Sequence, residues 1–210
     1  MPTKTDDLIR QLAEDARPVK RLPPPGRRFA LWLALSVAYA LMCLLWIGWR
    51  ADLSQVAATP GFLWQTALLV ALTLSSGWLA FAFSVPGREG SPWRKRSVVL
   101  VALAWLASLV TLVAVTPGHS PGEGLACSLQ ITLVGAIPAI LLVLMIRRAA
   151  PLQWLWSGIL VGLAMIGLGA TALQFACCSG DPMHLLVWHL LPGVLFVVIA
   201  VALASRLFKI

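Results

Sequence analysis

Residues 29–49 read FALWLALSVAYALMCLLWIGW, with no Asp, Glu, Lys or Arg among them. A helix needs roughly 20 predominantly apolar residues to cross the hydrocarbon core of a bilayer. The buried helix of a soluble protein has no need of so long an uncharged run. The stretch therefore reads as a membrane span.

Working outward, the same signature returns over 62–83, 97–115, 127–146, 155–175 and 185–204, each again free of Asp, Glu, Lys and Arg. Pro60, Pro86, Pro92, Pro117, Pro121, Pro151 and Pro182 sit between spans. Only Pro138 and Pro192 fall inside them, where neighbouring helices can satisfy freed backbone groups. Of the 210 residues 60% are hydrophobic and 11% charged, against about 25% charged in soluble domains. An ordinary soluble protein and a disordered chain are excluded, and 4 cysteines are too few for a disulfide-stapled miniature. The expected fold is all-α, a polytopic bundle of six transmembrane helices over 29–210 behind a cytoplasmic tail, 1–28.

Lys and Arg are retained on the cytoplasmic side of short loops. All 16 of them except Arg50 lie in the tail, the second and fourth loops and the C-terminus, so both termini are expected in the cytoplasm. In a bacterium the membrane would be the inner one. The formal charge of +8 is then a topology signal beside anionic headgroups. It points to the lipid bilayer as a partner and not to direct nucleic-acid binding. The first apolar run lacks a small-residue cleavage site at its end, so it is expected to stay as an anchor.

The tail reads as a short amphipathic helix and a Pro-rich tether. Thr5 is placed as an N-cap, with Asp6 and Asp7 favouring the helix N-terminus. Leu8, Ile9, Leu12, Ala13 and Ala16 recur on one face. Pro18 ends the pattern, and Pro23, Pro24 and Pro25 stiffen the approach to the membrane. Such a helix is marginal alone in water. Either it docks in the groove of a cytoplasmic partner, or it is an interfacial leader that helps set topology.

On the outer face stand His119, Cys127, Cys177, Cys178, His184 and His189, while Cys43 reads as a buried small hydrophobe. In an oxidising periplasm Cys127 could pair with Cys177 or Cys178, since the short link between the fourth and fifth spans makes them neighbours. Vicinal Cys177 and Cys178 bridge each other poorly. Alternatively, thiolates and imidazoles from Cys127, Cys177, Cys178 and His184 could capture zinc, cadmium or copper(I). His189 lies about one turn inside the sixth span beside Trp188, where an aromatic-belt role competes with a ligand role. No phosphate loop, nucleophile elbow or pair of cysteines two residues apart is present, and apart from His189 no ionisable residue lies in the spans. Catalysis and ion pumping are not expected.

DDLIRQLAEDARPVKRL in the tail, Cys127 followed by IPAILLVLMIRRAAPL, GLAMIGLGATALQF leading to Cys177 and Cys178, and VWHLLPG together resemble the six-span anti-sigma factors of the NrsF type, negative regulators of sigma factor F. The resemblance covers nearly the whole chain. It implies that the tail, through Asp7, Leu8, Ile9, Leu12, Ala13, Pro18 and Val19, holds an extracytoplasmic-function sigma factor at the inner membrane. It further implies that periplasmic cysteines release that factor on heavy-metal or oxidative stress. Cys127 matches the first family cysteine. Cys177 and Cys178 match a His-Cys pair, with Cys178 at the cysteine position and Cys177 where a histidine is expected. The expected sensor is then Cys127 with Cys178 or Cys177, with His119, His184 and His189 as auxiliary ligands. No constitutive cofactor is implied, only a transient metal ion. A small membrane protein of thiol or metal handling, with an incidental tail, is the alternative.

Overall fold

A computed structural model describes residues 4–14, 22–87, 92–116, 120 and 122–208, and among them the chain forms helices and no strand. Several of these helices open on proline. Proline has no N–H to leave unsatisfied in a first turn, and its φ is already helical. Pro60, Pro92 and Pro182, expected as connector residues, thus become first helical residues, as does Pro25. Thr59 accepts from the Phe62 N–H and Asp181 from the Met183 N–H, which caps two of these starts.

In chain order the elements are α1 (Lys4–Glu14), α2 (Pro25–Ile47), α3 (Leu53–Val56), α4 (Pro60–Phe83), α5 (Pro92–Val115), α6 (Leu125–Arg147), α7 (Trp154–Gln174), α8 (Pro182–His184), a π-helical turn (Leu185–Leu190) and α9 (Leu191–Phe208). The helices α2, α4, α5, α6 and α7 and the continuous run Pro182–Phe208 are long and apolar enough to cross a membrane. The protein is a multi-pass membrane protein. Its spans start earlier than the uncharged windows suggest because the helices continue through flanking Pro, Arg and Trp.

The bundle is built around α7, against which α4, α6 and α9 pack. Lipid tails are as apolar as leucine, so contact between membrane helices depends on close van der Waals approach. A Cβ at Gly167 would lie 2.5 Å from Thr73 Oγ1 and 2.9 Å from its backbone nitrogen on α4. One at Gly162 would lie 2.8 Å from Val197 Cα on α9. Glycine at both positions lets the backbones touch.

Helix α2 lies antiparallel along α6. The Trp32 indole N–H donates to the Pro138 carbonyl at 2.9 Å, and the Tyr39 hydroxyl donates to the Leu133 carbonyl at 3.1 Å. Cys43 is buried with Ile131 and Val134, as expected of a small hydrophobe. At the other end of the pair buried Arg28 donates to Ser84 Oγ at 3.0 Å and to the Met145 carbonyl at 3.3 Å. The first residues of α2 are thereby tied to the last turns of α4 and α6.

Candidate thiol and imidazole site

At the end of the bundle opposite the first turn of α2, four side chains converge. Cys127 comes from the first turn of α6, Cys177 from just beyond α7, His184 from α8 and His189 from the π turn. One potential ligand atom from each lies within 4.8 Å of the others. Cys127 Sγ and Cys177 Sγ are 3.6 Å apart, and Cys177 Sγ is 3.6 Å from His184 Nε2. The imidazoles meet edge to face with centroids 5.6 Å apart. Cys177, His184 and His189 are buried, and Cys127 is half-buried. His189 Nε2 is enclosed without a hydrogen-bond partner, an uncommon condition for a buried imidazole nitrogen.

Local folding explains the convergence. In an α-helix of 3.6 residues per turn, positions five apart point about 140° away from each other. The i→i+5 bonding of a π turn brings them back onto one face, so His184 and His189 can address the same point. Pro192 follows closely and has no N–H for the Trp188 carbonyl four residues earlier. The Ser128 hydroxyl of α6 donates to that carbonyl instead, at 2.8 Å.

Further contacts lock the start of α6, and with it Cys127, onto the π turn. The Trp188 indole N–H donates to the Gly122 carbonyl at 3.1 Å. The indole ring lies where any side chain at Gly124 would begin, 2.2 Å from a Cβ there. Asp181 Oδ2 accepts from the Ser120 N–H at 2.9 Å while Asp181 Oδ1 caps α8. On the α7 side the Cys177 N–H bonds the Leu173 carbonyl at 2.8 Å. Helical winding thus persists one turn past α7 and carries Cys177 inward.

Beside the cluster the Arg50 backbone N–H donates to the Phe175 carbonyl at 2.9 Å. Its guanidinium grips Asp52 through Nε and Nη2 at 2.7 and 2.8 Å. That bidentate pairing holds the Asp52 carboxyl below its ordinary range and raises Arg50.

Residues 12–209 match the family described as NrsF, negative regulator of sigma F. The chain belongs to this family. The anti-sigma-F factor NrsF of Caulobacter vibrioides (strain NA1000 / CB15N) is 33% identical to it over 200 residues, which are 91% of this chain and 92% of that protein. No solved structure matches. Membership makes the chain one of a family of anti-sigma factors, regulatory rather than catalytic.

Within this NrsF-family chain the structure brings one of the two expected partners beside Cys127. Cys177, and not Cys178, is the neighbour of Cys127. Cys178 is exposed and stands outside the four-residue cluster, because the chain leaves its helical path there. All four cysteines are free. His184 and His189 join the thiols, while His119 lies outside the described residues. In the tail, α1 begins at Lys4, one residue ahead of the expected Thr5 cap, and buries none of its residues. Asp7, Leu8, Ile9, Leu12 and Ala13 are all exposed on it, and Pro18 and Val19 lie outside the described residues.

Sequence reasoning missed Gly124, Ser128 and Trp188 as the dock for α6, and Arg50 with Asp52 as the neighbouring ion pair. The Pro192 break was the only available signal for the π turn.

Proposed function

We propose that this protein is an inner-membrane anti-sigma factor with both termini in the cytoplasm. Its N-terminal segment holds an extracytoplasmic-function sigma factor through Leu8, Ile9 and Leu12, with Asp7, Ala13, Pro18 and Val19 beside them. The sigma factor is released when a thiophilic metal ion occupies Cys127, Cys177, His184 and His189 on the periplasmic side.

The convergence of four soft or borderline donors within 4.8 Å carries this reading. Zinc binds thiolate and imidazole at about 2.0–2.3 Å in tetrahedral sites, so neighbouring donors there stand about 3.3–3.8 Å apart. The two 3.6 Å separations already match, and the widest would need to close by about 1 Å. Orphaned His189 Nε2 is a donor atom awaiting a partner. A bound ion supplies a cross-link between α6, the end of α7 and the last span.

A ligand shifts an equilibrium only by its differential affinity for the two states, so the ion must favour a packing in which the tail binds its client less well. Helix α6 is the natural link. It carries Cys127 in its first turn and runs along α2, meeting it at Trp32 and again at Arg28, next to the tail.

The 3.6 Å contact between the two free thiols supports a second input. Hydrogen peroxide would take two electrons and two protons from Cys127 and Cys177, its O–O bond breaking as one S–S bond forms and two waters leave. That route has no need of the imidazoles.

Affinity purification of the intact protein beside a version lacking residues 1–22, with and without cadmium or peroxide, tests the proposal. A sigma factor should co-purify with the intact form alone and diminish with cadmium. Cys127→Ser and Cys177→Ser should abolish both responses, His189→Ala the cadmium response only, and Cys178→Ser neither. Failure to recover any tail-dependent sigma factor would return the tail to a topology leader. Normal cadmium release from the Cys127→Ser, Cys177→Ser double variant would remove the cluster as the input.

A further inference from the structure

A cavity of about 260 Å³ opens at the same end of the bundle as the thiol and imidazole cluster, between the start of α4, the ends of α5 and α7, and the segment that leads into α8. None of the residues lining it belongs to the cluster. Three polar side chains line it, Arg50, Gln65 and Gln174, and each is nine-tenths or more buried. Phe62, Leu112 and Leu185 supply apolar wall. Polar side chains within membrane spans are costly, and they mark places where a polar ligand is met.

Gln65 has a partner for half of its amide. Its Nε2 donates to Ser108 Oγ at 2.8 Å, which joins α4 to α5 on the inner side of the cavity. The side-chain amide of Gln174 has no hydrogen-bond partner among the described residues, an uncommon condition for a group so far buried. Asp52 grips Arg50 along the edge formed by Nε and Nη2. A guanidinium carries five N–H donors, so the fork made by Nη1 and the second N–H of Nη2 is still open. Arg50 is the only charged residue among those lining the cavity. Asp52 is 38% exposed, so water shares its charge and the guanidinium keeps attraction for a second anion.

We propose that this cavity binds a small aliphatic monocarboxylate. Its carboxylate accepts from the open fork of Arg50, the planar two-point match that suits a guanidinium, and from the Gln174 amide. Its hydrocarbon body lies against Phe62, Leu112 and Leu185. That apolar wall selects an organic acid over an inorganic oxyanion. The volume lies below the range of about 300–1,000 Å³ usual for pockets of drug-sized ligands, which selects a short chain over a lipid. Ser179, Gly180 and Pro182 form one side of the cavity, so the occupant touches the stretch of chain between Cys177 and His184.

Saturation-transfer NMR of the intact protein in phosphatidylcholine nanodiscs, titrated with isovalerate and with its neutral isostere isovaleramide and corrected for empty nanodiscs, tests this. Isovalerate should saturate with a Kd of about 1 mM, within reach of so small a ligand. Isovaleramide should bind roughly ten-fold or more weaker, on the usual scale of a hydrogen bond to a charged group, and excess sulfate should not displace isovalerate. Gln174→Leu should weaken isovalerate by roughly ten-fold. A Cβ at Gly61, which also lines the cavity, would meet nothing within 4 Å. Gly61→Leu should therefore abolish binding by filling the space, with Arg50 and Gln174 in place and the midpoint of thermal unfolding unchanged. Leu100→Ala, on the exposed side of α5, should bind as before. Equal binding of acid and amide, displacement by sulfate, full binding by a normally melting Gly61→Leu variant, or no saturable binding of isovalerate would each overturn the proposal.

Discussion

Helices α5 and α7 are of similar length and opposite character. The span in α5 has a mean hydropathy of 2.7 and 17% of it is buried; that in α7 has 1.8 and 72%. The more apolar helix is the more exposed one. In water this would be perverse, but in a bilayer large aliphatic side chains gain nothing by leaving lipid. The interior therefore goes to helices that can approach most closely. Helix α4, also at 1.8, is the next most buried at 56%. Glycine, Ser and Thr mark where the inner helices touch, beside buried Leu, Phe and Trp, while further Leu and Val face outward.

The sharpest way to break that contrast is to give α7 a side chain where it has none. Gly167→Val would drive a Cβ into Thr73 and the Leu69 carbonyl, and should cost roughly 3 kcal/mol, read as a lower midpoint of thermal unfolding in detergent. An unchanged midpoint would mean that α7 does not hold the bundle together. The limit of enclosure at the end of α7 can be located by thiol labelling in single-cysteine variants. Exposed Cys178 should react with a charged maleimide roughly ten-fold or more faster than buried Cys177, because reaction requires access to the thiolate.

Trp32→Phe removes the indole N–H that the Pro138 carbonyl receives and should cost about 1 kcal/mol, the scale of an interhelical hydrogen bond in a membrane. It should also blunt the release of a tail-bound partner by cadmium. On α5, Leu100→Ala removes an exposed side chain and should shift stability by no more than about 0.5 kcal/mol; a larger loss would show that α5 is more enclosed than its exposure indicates. Smallest is the effect of the Arg50 and Asp52 pair. The folded carboxyl titrates below its unfolded value, so its contribution is full above the ordinary Asp pKa of about 3.9 and is lost as pH falls through the lowered one. Asp52→Asn should lower the melting temperature slightly through the neutral range, where the pair contributes in full, leave the most acidic range unchanged, and so flatten the curve between them.

Six uncharged runs sufficed to read the architecture, because no soluble fold needs them and few other structures can span lipid. The tail helix was equally legible, since Leu8, Ile9, Leu12 and Ala13 repeat on one face. The cluster was legible only as a list of residues. Cys127, His184 and His189 were visible on the outer side, but nothing local distinguishes Cys177 from Cys178. The choice depends on how far helical winding persists beyond Gln174, which is decided by packing. Gly124 could not be read either, because its role depends on an indole from another span.

The π turn has a consequence of phase. A turn that takes an extra residue into the same rise gives the last span one residue more than an unbroken α-helix would hold between the same two ends. Deleting one residue from 185–190 would leave the span long enough to cross, yet would rotate one part about 100° against the other. Either His184 and His189 would separate, or Gly193 would turn away from Ile166, against which it is packed. The surplus residue works as a phase adjuster: it lets one helix present its histidines at one end and its groove-matched face in the middle, two demands that a uniform helix of this sequence could not meet together.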